Sequence, residues 1–178
     1  MAVSLEDRGA IAAGFTLLEL LVAMALLGVL TAIAAPSWVT FVQRARLDAV
    51  NDAAARSLRE TQARARQTHR DWEWCFRDRA GRLEYAQHPV GTANCTTAQW
   101  RSLGEELEFR VAIDPDHSTF FQQGEAYRMR FRRDGATSGR LGRVTFRPAG
   151  GGLDLKSCVF VSTLLGAIRL DRDRRCLR

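Results

Sequence analysis

Lysine is almost missing from this 178-residue chain. Lys156 is the only one, so the net charge of +6 and the pI near 9.9 come almost entirely from arginine. Such a balance makes an acidic partner, such as DNA or an anionic surface, conceivable. A GC-rich genome would produce the same Arg- and Ala-rich composition, so charge alone does not identify a partner.

Catalytic and metal-binding motifs are also missing. The sequence contains no G-x-S-x-G, H-E-x-x-H or P-loop pattern. His69, His88 and His117 share no ligand spacing with the cysteines, which argues against zinc. Asp114 and Asp116 stand beside His117, but a proline-containing turn explains these aspartates at least as well as a metal site. We therefore expect neither an enzyme nor a bound metal or cofactor.

The chain has four cysteines, and none of them belongs to a C-x-x-C pair. An even number of cysteines after an export-type N-terminus suggests disulfides, although four cysteines allow three connectivities. Our preferred pairing joins nearest neighbours, Cys75 with Cys95 and Cys158 with Cys176. Each bond would stabilise the fold by about 3 kcal/mol in the chain-entropy model. Four buried free thiols are the alternative.

The longest apolar run covers residues 15–35 and contains one charged residue, Glu19. Its length is close to the roughly 20 residues that a membrane-spanning helix needs. A cleavable signal peptide is a second interpretation, with Arg8 as its charged region and Ala32-Ile33-Ala34 as its cleavage site. Glu19 counts against both, because an acidic residue deep in a bilayer costs about 2.5–3.5 kcal/mol on insertion scales.

The stretch GFTLLEL, residues 14–20, resembles the processing site of type IV pilins and type II secretion pseudopilins. The resemblance implies cleavage between Gly14 and Phe15 by a prepilin peptidase, followed by N-methylation of Phe15. It also implies that Glu19 guides docking by facing the N-terminal amine of a neighbouring subunit, and Pro36 matches the family as well. The physics agrees, since a carboxylate and an ammonium neutralise each other where an unpaired charge is costly.

The rest of the chain predicts one long helix and then strands. From Ser37 to about Thr68, apolar residues recur at three- and four-residue steps, and charges recur at steps of four on the other faces. Joined to the apolar run, this helix would hold some fifty residues. After Arg70 the pattern alternates with period two. The candidate strands are Trp72–Arg77, Arg82–Ala86, Glu106–Ala112, Ser118–Phe121, Tyr127–Arg132, Gly142–Arg147, Ser157–Thr163 and Ala167–Asp171.

These elements indicate an α+β protein, a long N-terminal helix packed on a C-terminal antiparallel β head. The resemblance implies that this architecture is the type IV pilin-like fold. We expect a cleaved leader over 1–14 and a transmembrane or filament-core helix over 15–35. The amphipathic second half of the helix would cover 36–70 and the head 71–178. The head resembles that of the GspH/FimT family through Tyr127–Phe131, Asp134-Gly135 and Gly166–Leu170.

Arginines in two of the predicted strands form a candidate binding face. Alternation points Arg128, Arg130 and Arg132 to one side of the first strand, and Arg143 and Arg147 outward from the second. If the 133–141 connection pairs these strands, all five arginines share one solvent face. Like charges opposite each other destabilise a sheet, so this face would suggest an anionic partner.

The C-terminal tail is the second candidate. Some minor pilins that resemble this family bind DNA through a Gly-Arg-x-Arg motif near the C-terminus. The matching stretch here is Gly166-Ala167-Ile168-Arg169, in which alanine replaces the first arginine. Three later arginines would substitute for it, and phosphate binding by such a patch weakens steeply with salt. They are Arg172, Arg174 and Arg175.

Three functions follow from these patterns. The first is a minor pilin-like structural subunit that initiates or caps a type IV pilus, with a minor pseudopilin of the type II secretion system as the alternative machine. The second is DNA binding for uptake on the same scaffold. The third, a secreted enzyme, has no supporting site. The resemblance implies a single-pass inner-membrane protein with a periplasmic head. Its partners would be other pilins or pseudopilins and the prepilin peptidase.

Overall fold

The computed structural model of the chain describes residues 16–104, 111–151 and 153–177, apart from the side chain of Ala34. It divides into two compact units, one ending at Val39 and the other beginning at Thr40. The helix α1 (Leu17–Thr68, 52 residues) contributes to both units and contains Pro36. The predicted helix of some fifty residues is therefore confirmed.

Nine strands and a short 3₁₀ helix follow α1 in the described residues. The strands are β1 (Trp72–Arg79), β2 (Arg82–Pro89), β3 (Arg101–Ser102), β4 (Val111–Ile113), β5 (Phe121–Gln123), β6 (Ala126–Phe131), β7 (Gly142–Pro148), β8 (Ser157–Val161) and β9 (Ile168–Arg172), and the 3₁₀ helix is Asp173–Cys176. This order of a long helix followed by antiparallel strands confirms the predicted α+β class.

The strands form two antiparallel sheets. The first sheet has the order β3-β2-β1-β6-β5, and the second has the order β4-β7-β8-β9. β1 and β2 are joined by Ala80 and Gly81, whose φ angles are +54° and +81°. Two consecutive positive φ values fit the tight hairpin turn that matches the twist of the strands. This turn sets the register that brings His88 opposite Glu73.

The core of the second unit joins α1 to both sheets. Leu47, Val50 and Leu58 of the helix are buried together with Trp74 of β1 and Phe146 of β7. Burying a large apolar side chain contributes roughly 1.5–3 kcal/mol. The Trp74 indole also donates a hydrogen bond to Ser57 Oγ at 2.9 Å, so its N–H group is satisfied although the ring is buried.

One strand was missed, one begins later than predicted, and one predicted strand lies mostly outside the described residues. The exposed two-residue strand β3 was not predicted, because so short a segment carries no period-two pattern. The segment that begins at Ser118 is not a strand until Phe121, since the Ser118 hydroxyl closes a turn by donating to Asp114 O at 2.6 Å. The predicted strand Glu106–Ala112 lies mostly outside the described residues, which show β4 from Val111 onward.

Candidate functional site

The first turn of α1 is capped beside Glu19. Thr16 precedes the helix, and its Oγ1 accepts a hydrogen bond from the Glu19 backbone N–H at 3.2 Å. Threonine at the cap and glutamate three residues later match the capping-box pattern, and an acidic residue in the first turn suits the helix dipole. The Glu19 side chain is exposed. Gly14 and Phe15, the predicted processing residues, lie outside the described residues.

The apolar part of α1 is exposed within its own unit. The large apolar side chains from Leu17 to Ile33 are all at least 50% exposed. Within the described residues, an 18-residue window of α1 is long and apolar enough to cross a membrane, and none of that window is buried. Thr31 donates its hydroxyl to Leu27 O at 2.9 Å, so its polar group is satisfied inside the helix. Such a surface suits lipid or other apolar helices.

The predicted common face of five arginines is wrong. β6 lies between β1 and β5 in the first sheet, whereas β7 lies between β4 and β8 in the second. The 133–141 connection does not close a hairpin, because the Thr137 N–H donates to Leu164 O at 2.8 Å, in the loop between β8 and β9. This connection therefore leads from the first sheet to the second.

Two arginines of β6 neutralise a buried carboxylate. The register of β1 and β6 places Arg130 opposite Glu73, which is 3% exposed. Arg130 donates to Glu73 Oε2 through Nη2 at 3.0 Å and through Nε at 3.2 Å, and Arg128 Nη1 lies 3.6 Å from the same oxygen. A buried carboxylate needs such partners, so the charges of Arg128 and Arg130 stabilise Glu73 inside the head instead of facing an external anion.

The other three arginines of the predicted face have separate surroundings. Arg132 pairs with Asp134 at 2.9 Å on the surface. Arg143 is 8% exposed and donates to His117 O at 2.7 Å, and burial lowers the pKa of its guanidinium. Arg147 is exposed on β7. Each of the three therefore belongs to a different local environment, and none extends the pair on β6.

The tail arginines divide into paired and unpaired groups. Arg172 lies 2.9 Å from Asp48, and Arg175 lies 3.1 Å from Asp171. Arg169 and Arg174 are exposed, and the described part of the chain shows no ion pair for either. Among the described tail arginines, these two are the ones without a carboxylate partner.

The stretch that precedes Arg169 is held by α1. The Gln62 amide donates to Gly166 O at 2.9 Å and to Gly135 O at 2.7 Å. Gly166 has a φ of +81° and is buried, whereas Ala167 and Arg169 are both exposed. An arginine at position 167 would thus be exposed two residues before Arg169. The alanine that stands there leaves Arg169 without that neighbour.

The structure contains both disulfides of the preferred pairing. Cys75 is bonded to Cys95 and Cys158 to Cys176, with Cα–Cα distances of 5.6 and 5.7 Å. The second bond attaches the 3₁₀ helix, which carries Arg174 and Arg175, to β8. Nearest-neighbour pairing was correct because each pair closes a loop of about twenty residues between adjacent parts of the head.

The carboxylate of Asp114 already has two cationic or donor partners. Asp114 is 3% exposed, and its Oδ2 lies 3.2 Å from Lys156 Nζ and 3.0 Å from His117 Nδ1. Burial raises the pKa of Asp114, but hydrogen bonds from Lys156 and His117 outweigh burial and leave that pKa below its ordinary value. Asp116 donates its backbone N–H to Asp114 Oδ1 at 3.2 Å. These hydrogen bonds and ion pairs explain the cluster as a turn stabilised by Asp114.

Comparison with known proteins gives one match. A family model described as the prokaryotic N-terminal methylation motif matches residues 11–35. No curated protein and no solved structure matches the chain. The matched segment contains the predicted processing residues Gly14 and Phe15, the capping threonine and Glu19. A motif of this kind marks a type IV pilin-like prepilin and points to a structural subunit, and the apolar helix that contains it suggests membrane anchoring.

Proposed function

We propose that this protein is a minor pilin-like subunit of a type IV pilus that initiates or caps filament assembly, without catalysis. The carrying observation is a methylation motif joined to a helix that presents Glu19 in its capped first turn and leaves its apolar surface unburied. An exposed apolar helix of this length is costly in water. A subunit that exchanges lipid for the apolar helices of its neighbours has a use for that surface.

Glu19 would make the contact between neighbouring helices specific. Cleavage before Phe15 would create a new amino group close in sequence to the capped turn. Among apolar helices, the carboxylate and the amine of a neighbouring subunit lose little by leaving water together, whereas either charge alone would be strongly disfavoured. The pair would therefore set the axial position of one subunit against the next.

Replacing Glu19 by glutamine tests this proposal. Glu19→Gln should leave membrane insertion unchanged or improved and reduce incorporation into filaments at least about tenfold, because an unpaired buried amine would remain. The measurement is the ratio of subunit in sheared filaments to subunit in membranes. Glu125→Gln, at an exposed position in the head, is the matched control. Equal incorporation of the two variants would contradict the pairing role.

The processing residues have an independent test. Mass spectrometry of the mature chain should find methylated Phe15 at the N-terminus. A mature chain that starts at Ala35 or Pro36 would instead identify a signal peptide, and the subunit proposal would be abandoned.

DNA binding on the same scaffold is a second candidate. Its support is that Arg169 and Arg174 are exposed and show no ion pair in the described residues. In gel-shift titrations of the full chain in detergent, Arg169→Gln with Arg174→Gln should weaken binding and lower the salt slope by about 2. Arg172→Gln with Arg175→Gln, which removes paired arginines, should change the slope less. Absence of binding at low salt excludes this candidate.

A minor pseudopilin of the type II secretion system is the alternative setting for the same subunit. The processing motif is common to both machines, so it does not separate them. Deleting the gene should abolish surface pili and leave protein secretion intact if the pilus assignment is right. The reverse phenotype would assign the subunit to secretion.

A further inference from the structure

Four side chains with metal-ligand chemistry converge inside the head. They are Glu73, Cys75, His88 and Cys95, all buried, and their donor atoms all lie within 4.8 Å of one another. Cys75 Sγ is 3.5 Å from His88 Nε2, and Cys95 Sγ is 3.7 Å from Glu73 Oε1. The residues come from β1, from β2 and from the loop after β2. The hairpin register creates this proximity, which is not visible in the spacing along the chain.

The imidazole of His88 is oriented as metal-binding imidazoles usually are. Its Nδ1 lies 3.2 Å from the Pro89 carbonyl, which only accepts, so Nδ1 carries the proton of that hydrogen bond. In the neutral ring this leaves a lone pair on Nε2, the atom that faces Cys75 and Glu73. In metal sites, a hydrogen bond from the other ring nitrogen to a backbone carbonyl fixes the tautomer of a ligating histidine.

The two carboxylate oxygens of Glu73 also have different partners. Its Oε2 is held by Arg130 and approached by Arg128, whereas its Oε1 faces Cys95 Sγ and lies 3.8 Å from His88 Nε2. One carboxylate oxygen is therefore positioned by arginines and the other is directed at the sulfur and the imidazole.

We propose that this cluster binds Zn²⁺ when the Cys75–Cys95 disulfide is reduced, so that the disulfide and the metal site are alternative states of the same residues. Two thiolates, one imidazole and one carboxylate are a tetrahedral donor set that zinc accepts. Adjacent donors around zinc lie roughly 3.3–3.8 Å apart for bond lengths of this kind, so the two sulfurs must separate after reduction, whereas the imidazole and the carboxylate need shorter movements. Two thiolates and a carboxylate exceed the charge of the ion, and Arg128 and Arg130 offset the excess.

The chemistry balances with a phosphine as the reductant. One phosphine and one water convert the disulfide into two thiols and a phosphine oxide. Binding of Zn²⁺ then releases one proton from each thiol, and the metal does not change oxidation state. The oxidised protein has no thiolate at this position and should not bind.

The second disulfide is an internal control. Cys158 Sγ has the Asp171 carbonyl at 3.7 Å as its contact, and the grouped metal-ligand residues of the described chain do not include Cys158 or Cys176. Reduction frees both pairs of thiols, but within the described residues only Cys75 and Cys95 have a histidine and a glutamate beside them. Metal binding should therefore depend on one pair alone.

The experiment titrates the full chain in detergent, reduced with a phosphine, with Co²⁺ and then with Zn²⁺. One equivalent of Co²⁺ should give thiolate charge-transfer and intense tetrahedral d–d absorption, which Zn²⁺ should abolish. The oxidised chain should give neither band. Cys158→Ser with Cys176→Ser should keep the signal, and Cys75→Ser with Cys95→Ser should lose it. His88→Ala should raise the dissociation constant at least about tenfold.

Four results would overturn the proposal. Three of them are a signal that survives Cys75→Ser with Cys95→Ser, an octahedral spectrum without thiolate bands, and a reduced chain that unfolds without binding. Circular dichroism on each sample identifies the last case. If His88→Ala and the wild-type bind equally while both stay folded, the four-ligand site is likewise excluded.

Discussion

Gly166 lies at a position with no room for a side chain. A Cβ there would meet Gln62 Nε2 at 2.4 Å and Gly135 O at 2.5 Å. The same Gln62 amide bonds both carbonyls, so the glycine allows α1 and two turns to approach one another closely. The turn before Arg169 is thus fixed by packing as well as by its positive φ angle.

Gly166→Ala should therefore destabilise the head more than an alanine at an equivalent backbone angle. Gly81 has the same φ of +81° and nothing within 4 Å of its Cβ position, so Gly81→Ala measures the left-handed penalty alone. We expect Gly166→Ala to lower the free energy of unfolding by about 1–3 kcal/mol more than Gly81→Ala. Urea unfolding of both variants checks this. Equal losses would show that the contact with Gln62 relaxes without cost.

The role of a residue could be predicted from the sequence where the residue belongs to a local motif. Glu19 stood out because it is the charged residue of an apolar run, and the structure places it in a capped first turn. Arg128 and Arg130 appeared as surface charges, because nothing in the local pattern reveals that Glu73 is buried opposite them. The spacing argument against zinc considered His88 only by its distance along the chain, and that distance does not reveal that a hairpin register brings His88 to Cys75.

Each disulfide closes one loop of the head. The Cys75–Cys95 bond fixes the loop after β2 to β1, and the Cys158–Cys176 bond fixes the 3₁₀ helix to β8. Their sequence separations are 20 and 18, so chain entropy assigns them similar stabilisation.

Removing either bond should therefore cost a similar amount. Cys158→Ser with Cys176→Ser should lower the free energy of unfolding by about 3 kcal/mol, and Cys75→Ser with Cys95→Ser should do the same. Non-reducing urea titration of the two double variants measures both. A loss well below 1 kcal/mol for either pair would show that its loop is already ordered in the unfolded chain.

Elements with strong periodicity were predicted well, and their partners were not. α1 and most strands have the expected positions, because alternation and helical spacing are local. The inner face of α1 is wide, with Ala53, Ala54 and Ala55 all buried, because both sheets contribute to the core that it joins. The assumed pairing of β6 with β7 was wrong, since strand partners are selected by contacts distant in sequence.

The two units of the chain differ in what they bury. The unit that begins at Thr40 has its own apolar core and both disulfides, whereas the apolar residues from Leu17 to Ile33 are exposed in the other. Stability of the head should then not depend on the first unit, and membrane association should not depend on the head.

A chain that starts at Thr40 tests this separation. It should stay soluble without detergent and unfold cooperatively at a midpoint within a few degrees of the full chain in detergent. Thermal circular dichroism provides both midpoints, and sedimentation at each step controls for aggregation. A shortened chain that shows no cooperative transition would mean that residues before Thr40 are needed for folding.

The Gln62 amide also has a kinetic consequence. Its two acceptors are 73 and 104 residues away along the chain, so both hydrogen bonds close long loops. Because closing such long loops is costly in entropy, we expect both bonds to form after the folding barrier has been crossed. Losing them should then raise the unfolding rate of the head more than it lowers the folding rate.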